Sequence, residues 1–176
     1  MSDLQLDHSA HRHTATKYPL CLLANDIDLP MNIGSLFRIA DALGIEKIYL
    51  SGRSATPPNS KINRTARSTE KYVPYAYEQN ALIIVTTLKQ AGYTIVSLEI
   101  TANSIELDRF SLAKDEKVCL ILGAEKQGVG EQLLAVSDAT IHIPMLGVNS
   151  SLNVATAGAI AAYAITRQFQ QNQFGG

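Results

Sequence analysis

Tryptophan is absent from the 176 residues, and only two cysteines and 6% aromatic residues are present. Two cysteines cannot build the disulfide framework of a small secreted domain. Both sit in apolar runs, Leu20-Cys21-Leu22-Leu23 and Val118-Cys119-Leu120-Ile121. That placement predicts buried, inert thiols in a protein of the reducing cytoplasm. No stretch approaches the ~20 apolar residues of a membrane span. The most apolar one, Leu152 to Ile165, is interrupted by Asn153, Thr156, Gly158 and Tyr163. The first 18 residues are polar and carry no apolar segment, so no secretory signal is expected. A large charge of one sign is also missing. The net charge of −1 excludes a basic nucleic-acid coat but leaves room for a local basic patch. Charged residues make up 18% against 46% apolar, which excludes general disorder.

What is present fits one domain, as expected for this length. Residues 1–18 are expected to form a flexible arm, and 19–176 a single folded domain. His8, His11 and His13 stand in the arm without the cysteines or carboxylates that would complete a metal site, so no metal is expected. Beyond the arm, strands and helices alternate. Strands are expected at Leu20–Ala24, Lys47–Leu50, Tyr93–Leu98, Val118–Leu122 and Thr140–Ile143. Helices are expected at Asn32–Leu43, Ile62–Ala66, Ala81–Ala91, Glu131–Val136 and Ser151–Gln170. Alternation with continuous apolar strands predicts an α/β fold with a mainly parallel sheet and helices on both faces. The last helix is rich in small residues, among them Ala155, Gly158, Ala161 and Ala162. Small side chains let a backbone approach closely, either to the sheet or to a partner subunit.

In such sheets ligands sit outside the carboxyl ends of the strands, and three loops there carry unusual residues. The first, Asn25 to Gly34, leads into a helix bearing Arg38. Asn32 suits an N-cap, and Arg38 suits a surface pair with Asp41. The second, Gly123-Ala124-Glu125-Lys126-Gln127-Gly128-Val129-Gly130, follows the most apolar strand. It superficially resembles a phosphate loop, but Val129-Gly130 stands where that motif needs lysine and then serine or threonine. A nucleoside triphosphatase is therefore rejected. The third, Ile143 to Val154, joins a strand to the last helix, with Ser150 or Ser151 as its expected N-cap. His142 alternates with Ile141 and Ile143 and is expected to be a strand residue.

Together these loops resemble, in order and spacing, the three motifs of the SpoU/TrmH branch of the SPOUT RNA methyltransferases. Asn32-Ile33-Gly34 with Arg38-Ile39-Ala40 resembles the first. Leu122-Gly123-Ala124-Glu125 with Gly128 resembles the second. Ile143-Pro144-Met145 with Ser151-Leu152-Asn153-Val154 resembles the third. The resemblance spans residues 20 to 168. It implies a SPOUT-type α/β fold with a C-terminal trefoil knot. It also implies a homodimer with active sites near the subunit interface. The activity implied is transfer of a methyl group from S-adenosylmethionine to a ribose 2′-hydroxyl of tRNA or rRNA. Backbone groups of Gly123, Ile143 and Leu152 would hold the cofactor. Asn32, Arg38, Glu125, Ser151 and Asn153 would occupy the polar catalytic positions, without a metal.

This chemistry suits the residues. Arg38 has a fork of donors for a phosphate and is a poor base, since a guanidinium stays protonated. Ser151 and Asn153 would position the target nucleotide at the last helix's N-terminus. RNA affinity needs positive charge. From Ser51 to Lys71 the chain carries Arg53, Lys61, Arg64, Arg67 and Lys71 against Glu70 alone. The local net charge is +4, leaving −5 for the rest. These five cations are the expected RNA contacts. Tyr72, Tyr75 and Tyr77 follow and offer rings for stacking bases, although their alternation equally fits a short strand. A non-catalytic RNA-binding homodimer of the same fold is the alternative, and a methyltransferase for a non-RNA substrate is a third reading.

Overall fold

The computed structural model describes residues 16–174. His8, His11, His13 and most of the expected arm lie outside the described residues. Tyr18 already pairs in the first strand. The elements are β1 (Tyr18–Asn25), α1 (Pro30–Leu43), β2 (Ile45–Ser51), α2 (Ser60–Ala66), β3 (Tyr75–Glu78), α3 (Ala81–Gln90), β4 (Tyr93–Leu98), β5 (Ile105–Glu106), β6 (Lys117–Leu122), α4 (Glu131–Val136), β7 (Ala139–His142) and α5 (Val154–Phe174). Seven strands form one sheet in the order β3-β2-β1-β6-β4-β7-β5. Every pairing is parallel.

The apolar runs of β1 and β6 are continuous because both sheet faces are covered. Side chains alternate faces along a strand, so the two runs feed two cores. Leu20, Leu22, Ala24, Val118, Leu120 and Leu122 face α1 and α5. Leu23, Cys119 and Ile121 face α3 and α4. Cys21 and Cys119 are free and buried and stand opposite each other in the β1–β6 register. Burial pushes the Cys21 thiol up to about 11, so it stays a protonated core group.

The caps of two helices differ from expectation. Helix α1 begins at Pro30, whose fixed φ and missing N–H suit the first turn. Asn32 is therefore inside the helix, not its N-cap, which is Leu29. Helix α5 begins at Val154. Its cap is Asn153, whose Oδ1 accepts from the amides of Ala155 (3.0 Å) and Thr156 (3.2 Å). Neither Ser150 nor Ser151 caps it. Tyr75 and Tyr77 stand in β3, the short strand that their alternation fits, while β5 is not among the expected strands; both lie at sheet edges, where one side has no neighbour and the apolar signal is weak.

The small residues of α5 serve the core. Ala155, Ala161 and Ala162 are buried, and a Cβ at Gly158 would meet Leu122 at 2.9 Å and Leu36 at 3.4 Å. Gly34 has a harder constraint. A Cβ there would lie 2.7 Å from Thr65 Cβ and 2.8 Å from the Ile62 carbonyl, so α1 and α2 touch through it. Replacing a helical glycine by alanine gains roughly 1 kcal/mol of propensity, while overpacking costs about 1–3 kcal/mol. At Gly158 the obstacles are the ends of leucine side chains, so Gly158→Ala should leave the urea midpoint nearly unchanged. At Gly34 one obstacle is backbone, so Gly34→Ala should lower the midpoint at constant slope. The reverse order would show that α2 slides freely on α1.

Candidate active site

Strands β1 and β6 are neighbours, but their chains leave in opposite directions. The chain after β1 goes to β2 on one side, and the chain after β6 goes toward β7 on the other. A crevice opens at such a switch point, outside the carboxyl ends of the strands. Here it is a cavity of about 580 Å³. Its walls come from the loops after β1, β4, β6 and β7.

One carboxylate joins three of those loops. Glu125 accepts from the amides of Asp28 (3.3 Å) and Leu29 (3.2 Å) and from Asn32 Nδ2 (2.9 Å). Asn32 Oδ1 in turn accepts from Asn153 Nδ2 at 3.0 Å. Asn153 Oδ1 then caps α5. The direction of this chain is forced. An ionised carboxylate only accepts, so Asn32 must turn its amide nitrogen to it and its oxygen to Asn153. Asn153 must therefore donate to Asn32 and present its oxygen to the helix. Burial alone would raise the Glu125 pKa. The Asn32 amide and the backbone donors, including those of Leu29 and Asp28, outweigh it and hold the carboxyl below its ordinary value.

The loop after β6 is closed on itself. Ala124 and Gly128 exchange backbone hydrogen bonds of 3.0 and 2.9 Å. Gly123 has no room for a side chain, because a Cβ would run into the backbone of Gly128 and Val129. The crowding thus comes from the protein's own loop. Gly128 adopts φ +64°, and a Cβ there would strike Glu99. Glu99, the first residue after β4, accepts from Val129 N (2.8 Å) and Ile100 N (3.0 Å).

The cavity gathers most of the predicted residues. Asn32, Gly123, Glu125, Ile143, Ser151, Leu152 and Asn153 all line it. Glu99 and His142 line it too, and sequence reasoning assigned neither to the site. His142 is a strand residue, as its alternation suggested, yet its Nδ1 is buried without a hydrogen-bond partner. For Glu99, the usable signal was its place at the carboxyl end of a strand.

Arg38 is not part of this cavity. It is exposed and makes no ion pair with Asp41 or any other described residue. It lies four residues beyond Gly34 and so shares the stripe of α1 against which α2 packs. Lys61, Arg64, Arg67 and Lys71 stand on α2 and the turns after it, all exposed and without an ion pair among the described residues. Glu70 is turned to Asn63, whose Nδ2 lies 2.6 Å from its Oε1. Arg53 differs, pairing with Asp26 (3.8 Å) and Asp28 (3.6 Å).

Residues 19–163 match the SpoU rRNA methylase family. The chain belongs to that family. It is 32% identical over 137 residues to an uncharacterized tRNA/rRNA methyltransferase of Mycobacterium tuberculosis, covering 77% of this chain and 48% of that protein. It is 29% identical over 149 residues to the tRNA (guanosine(18)-2′-O)-methyltransferase of Thermus thermophilus, covering 85% and 75%. The chain thus spans about half the length of the mycobacterial relative. Among solved structures, the SpoU methyltransferase AviRb from Streptomyces viridochromogenes in complex with AdoMet superposes with a TM-score of 0.77. It shares 26% identity over 86% of this chain and 60% of that one.

The depressed Glu125 pKa has a consequence in acid. A carboxyl with a folded pKa below its unfolded value, about 4.3, stabilises the fold fully above that value. The contribution is lost as pH falls through the folded pKa. Urea unfolding should show Glu125→Gln less stable than the native chain at pH 7, with the difference shrinking below about pH 4. A difference independent of pH would assign the loss to packing instead of to the charge.

Proposed function

We propose that this chain is an S-adenosylmethionine-dependent methyltransferase acting on a ribose 2′-hydroxyl of tRNA or rRNA, as a homodimer. One observation carries the reading. The Glu125–Asn32–Asn153 chain ties the three family motifs around a single cavity at the sheet's switch point. The AdoMet complex of the AviRb relative and the 2′-O-methyltransferase relative support the cofactor and the reaction.

When bound, S-adenosylmethionine supplies an activated sulfonium methyl group. The residues present fit it. Loop backbone at Gly123, Ile143 and Leu152 borders the cavity, and the unpartnered Nδ1 of His142 keeps hydrogen-bonding capacity there. Glu125 is a positioning residue. Its carboxylate already has three donors and a depressed pKa, which makes it a poor proton acceptor. Its role is to hold Asn32, and through it Asn153, at the mouth of α5. The Ser151 hydroxyl stands beside them for the target nucleotide. Arg38 stays protonated and holds a backbone phosphate next to the reacting ribose.

Arg38 lies six residues beyond Asn32 on α1, roughly 9 Å of helix rise, outside its own subunit's cavity. It therefore serves the cavity of a second copy. Exposed apolar residues beside the cavity support that partner: Leu146 and Val148 are fully exposed, and Ile160 and Tyr163 project from α5. The return of α5 from β7 to pack on α1 and Leu122 supports the trefoil knot that the family resemblance implies. Free cations on α2 and after it form the RNA surface.

The test separates binding from chemistry. By calorimetry, Arg38→Ala should keep S-adenosylmethionine affinity within a few-fold. Tritium transfer to bulk RNA from a strain lacking the protein should fall a hundredfold or more, about 3 kcal/mol. Arg38→Lys should rescue little, because lysine lacks the planar fork. Near wild-type transfer by Arg38→Ala would remove the assignment. A native chain that binds no S-adenosylmethionine would remove the whole reading.

A quadruple alanine variant of Lys61, Arg64, Arg67 and Lys71 should bind cofactor normally. Its RNA affinity should show a flatter salt dependence, by roughly 0.7–0.9 in log–log slope per lost phosphate contact. An unchanged slope would place the RNA elsewhere.

A further inference from the structure

A second cavity, of about 300 Å³, lies between the Gly52–Pro57 loop after β2 and the edge strand β3. Tyr75 and Tyr77 wall it. They are two residues apart on one strand, so they share a face, about 6.6 Å apart. Both are exposed, at 38% and 46%, yet each is fixed. The Tyr75 ring meets Phe37 edge-on, with centroids 5.5 Å apart and planes at 89°. The Tyr77 hydroxyl donates to the Gly52 carbonyl at 2.8 Å.

Arg53 forms the opposite wall. Its backbone amide donates to Asp26 Oδ1 at 2.9 Å, and Asp26 and Asp28 pair with its guanidinium. The two carboxylates lie 3.8 and 3.6 Å from the guanidinium and keep it beside the loop, while its side chain stays 63% exposed. The unpaired cations Lys61, Arg64, Arg67 and Lys71 follow in the segment that joins this loop to β3.

We propose that this cavity is a subsite for one unstacked nucleobase of a single-stranded RNA segment. The inference rests on the RNA methyltransferase reading above and adds to it where the strand outside the reacting nucleotide is held. Two tyrosine rings, a proline and a guanidinium plane are surfaces on which a base stacks. Ser54, the buried polar group in the wall, is already used, donating to the Ala24 carbonyl and accepting from the Ile27 amide. Besides the Arg53 guanidinium and the tyrosines, the Thr56 hydroxyl is the wall's remaining side-chain group for a base edge, so stacking dominates and base discrimination is weak. Its position is tied to the methyl-transfer cavity. Asp28 pairs with Arg53 on one side, and its amide donates to Glu125 on the other.

Stacking and phosphate contact have different signatures, which the experiment uses. The probe is a six-nucleotide single-stranded RNA with 2-aminopurine at one central position, alongside the same RNA with an abasic site there. The native chain should quench the 2-aminopurine on binding and should bind the abasic RNA about fivefold or more weakly, since one stacked base contributes ~1–3 kcal/mol. A Tyr75→Leu, Tyr77→Leu double variant should lose the same factor for the 2-aminopurine RNA. It should leave the salt slope unchanged and should not distinguish the abasic RNA. Cofactor affinity reports that the variant is folded, and the abasic comparison needs no variant.

Binding without quenching and without an abasic penalty, at whichever central position the probe base stands, would overturn the subsite and leave the RNA reading intact. Failure of the native chain to bind either the hexamer or bulk RNA would overturn both.

Discussion

The carboxylate of Glu125 is the constraint on which the site depends. It is the one pure acceptor in a chain of groups that both donate and accept. Fixing it fixes the orientation of Asn32, then of Asn153, then the first turn of α5. Three loops are thus set relative to one another by four hydrogen bonds, each spanning more than 90 residues. Three of these join the charged carboxylate to neutral donors, and such bonds are stronger than neutral pairs. The chain ends at the amides of α5, where an oxygen acceptor satisfies donors that the helix cannot. The polar groups lining the cavity are thereby held in place before any ligand arrives, which is what positioning chemistry requires.

Topology makes that arrangement possible. Only where neighbouring strands send their chains in opposite directions can loops from β1 and β6 face each other across open space. Parallel pairing of every strand brings all the relevant loops to one end of the sheet. Backbone crowding then closes the rest. Gly123 and Gly128 allow the loop after β6 to fold onto itself and against Glu99. A side chain at either position would push that loop off the cavity wall.

Much of this was legible in the residues, for identifiable reasons. Strands such as Val118–Leu122 show as unbroken apolar runs because helices cover both faces. The edge strands β3 and β5 do not, because β3 exposes its tyrosines and β5 is two residues long. The three loops were visible by residue type and position, but their connections were not. Asn32 and Ser150 or Ser151 each fit the local role of a cap, and none of them is one: Asn153 caps α5, and Asn32 turns to a carboxylate 93 residues away. Glu99 carried no local pattern, since its partner Val129 lies 30 residues away. Arg38 looked like a surface pair with Asp41, a contact that is not made.

The distribution of charge completes the separation of tasks. Near the cavity most charged groups have partners: amides hold Glu125 and Glu99, and two aspartates flank Arg53, while Lys126 is exposed without an ion pair among the described residues. On α2 and the turns after it, cations have no partners, and an exposed ion pair there would be worth only ~0–1 kcal/mol in any case. Unpaired surface cations cost the fold little and remain available to phosphates, where displaced counterions supply the binding free energy. A chain of net charge −1 thus carries a local charge of +4 between Ser51 and Lys71. The saturated groups at the sheet's centre keep one geometry, while the exposed cations toward its β3 edge form the surface proposed for RNA.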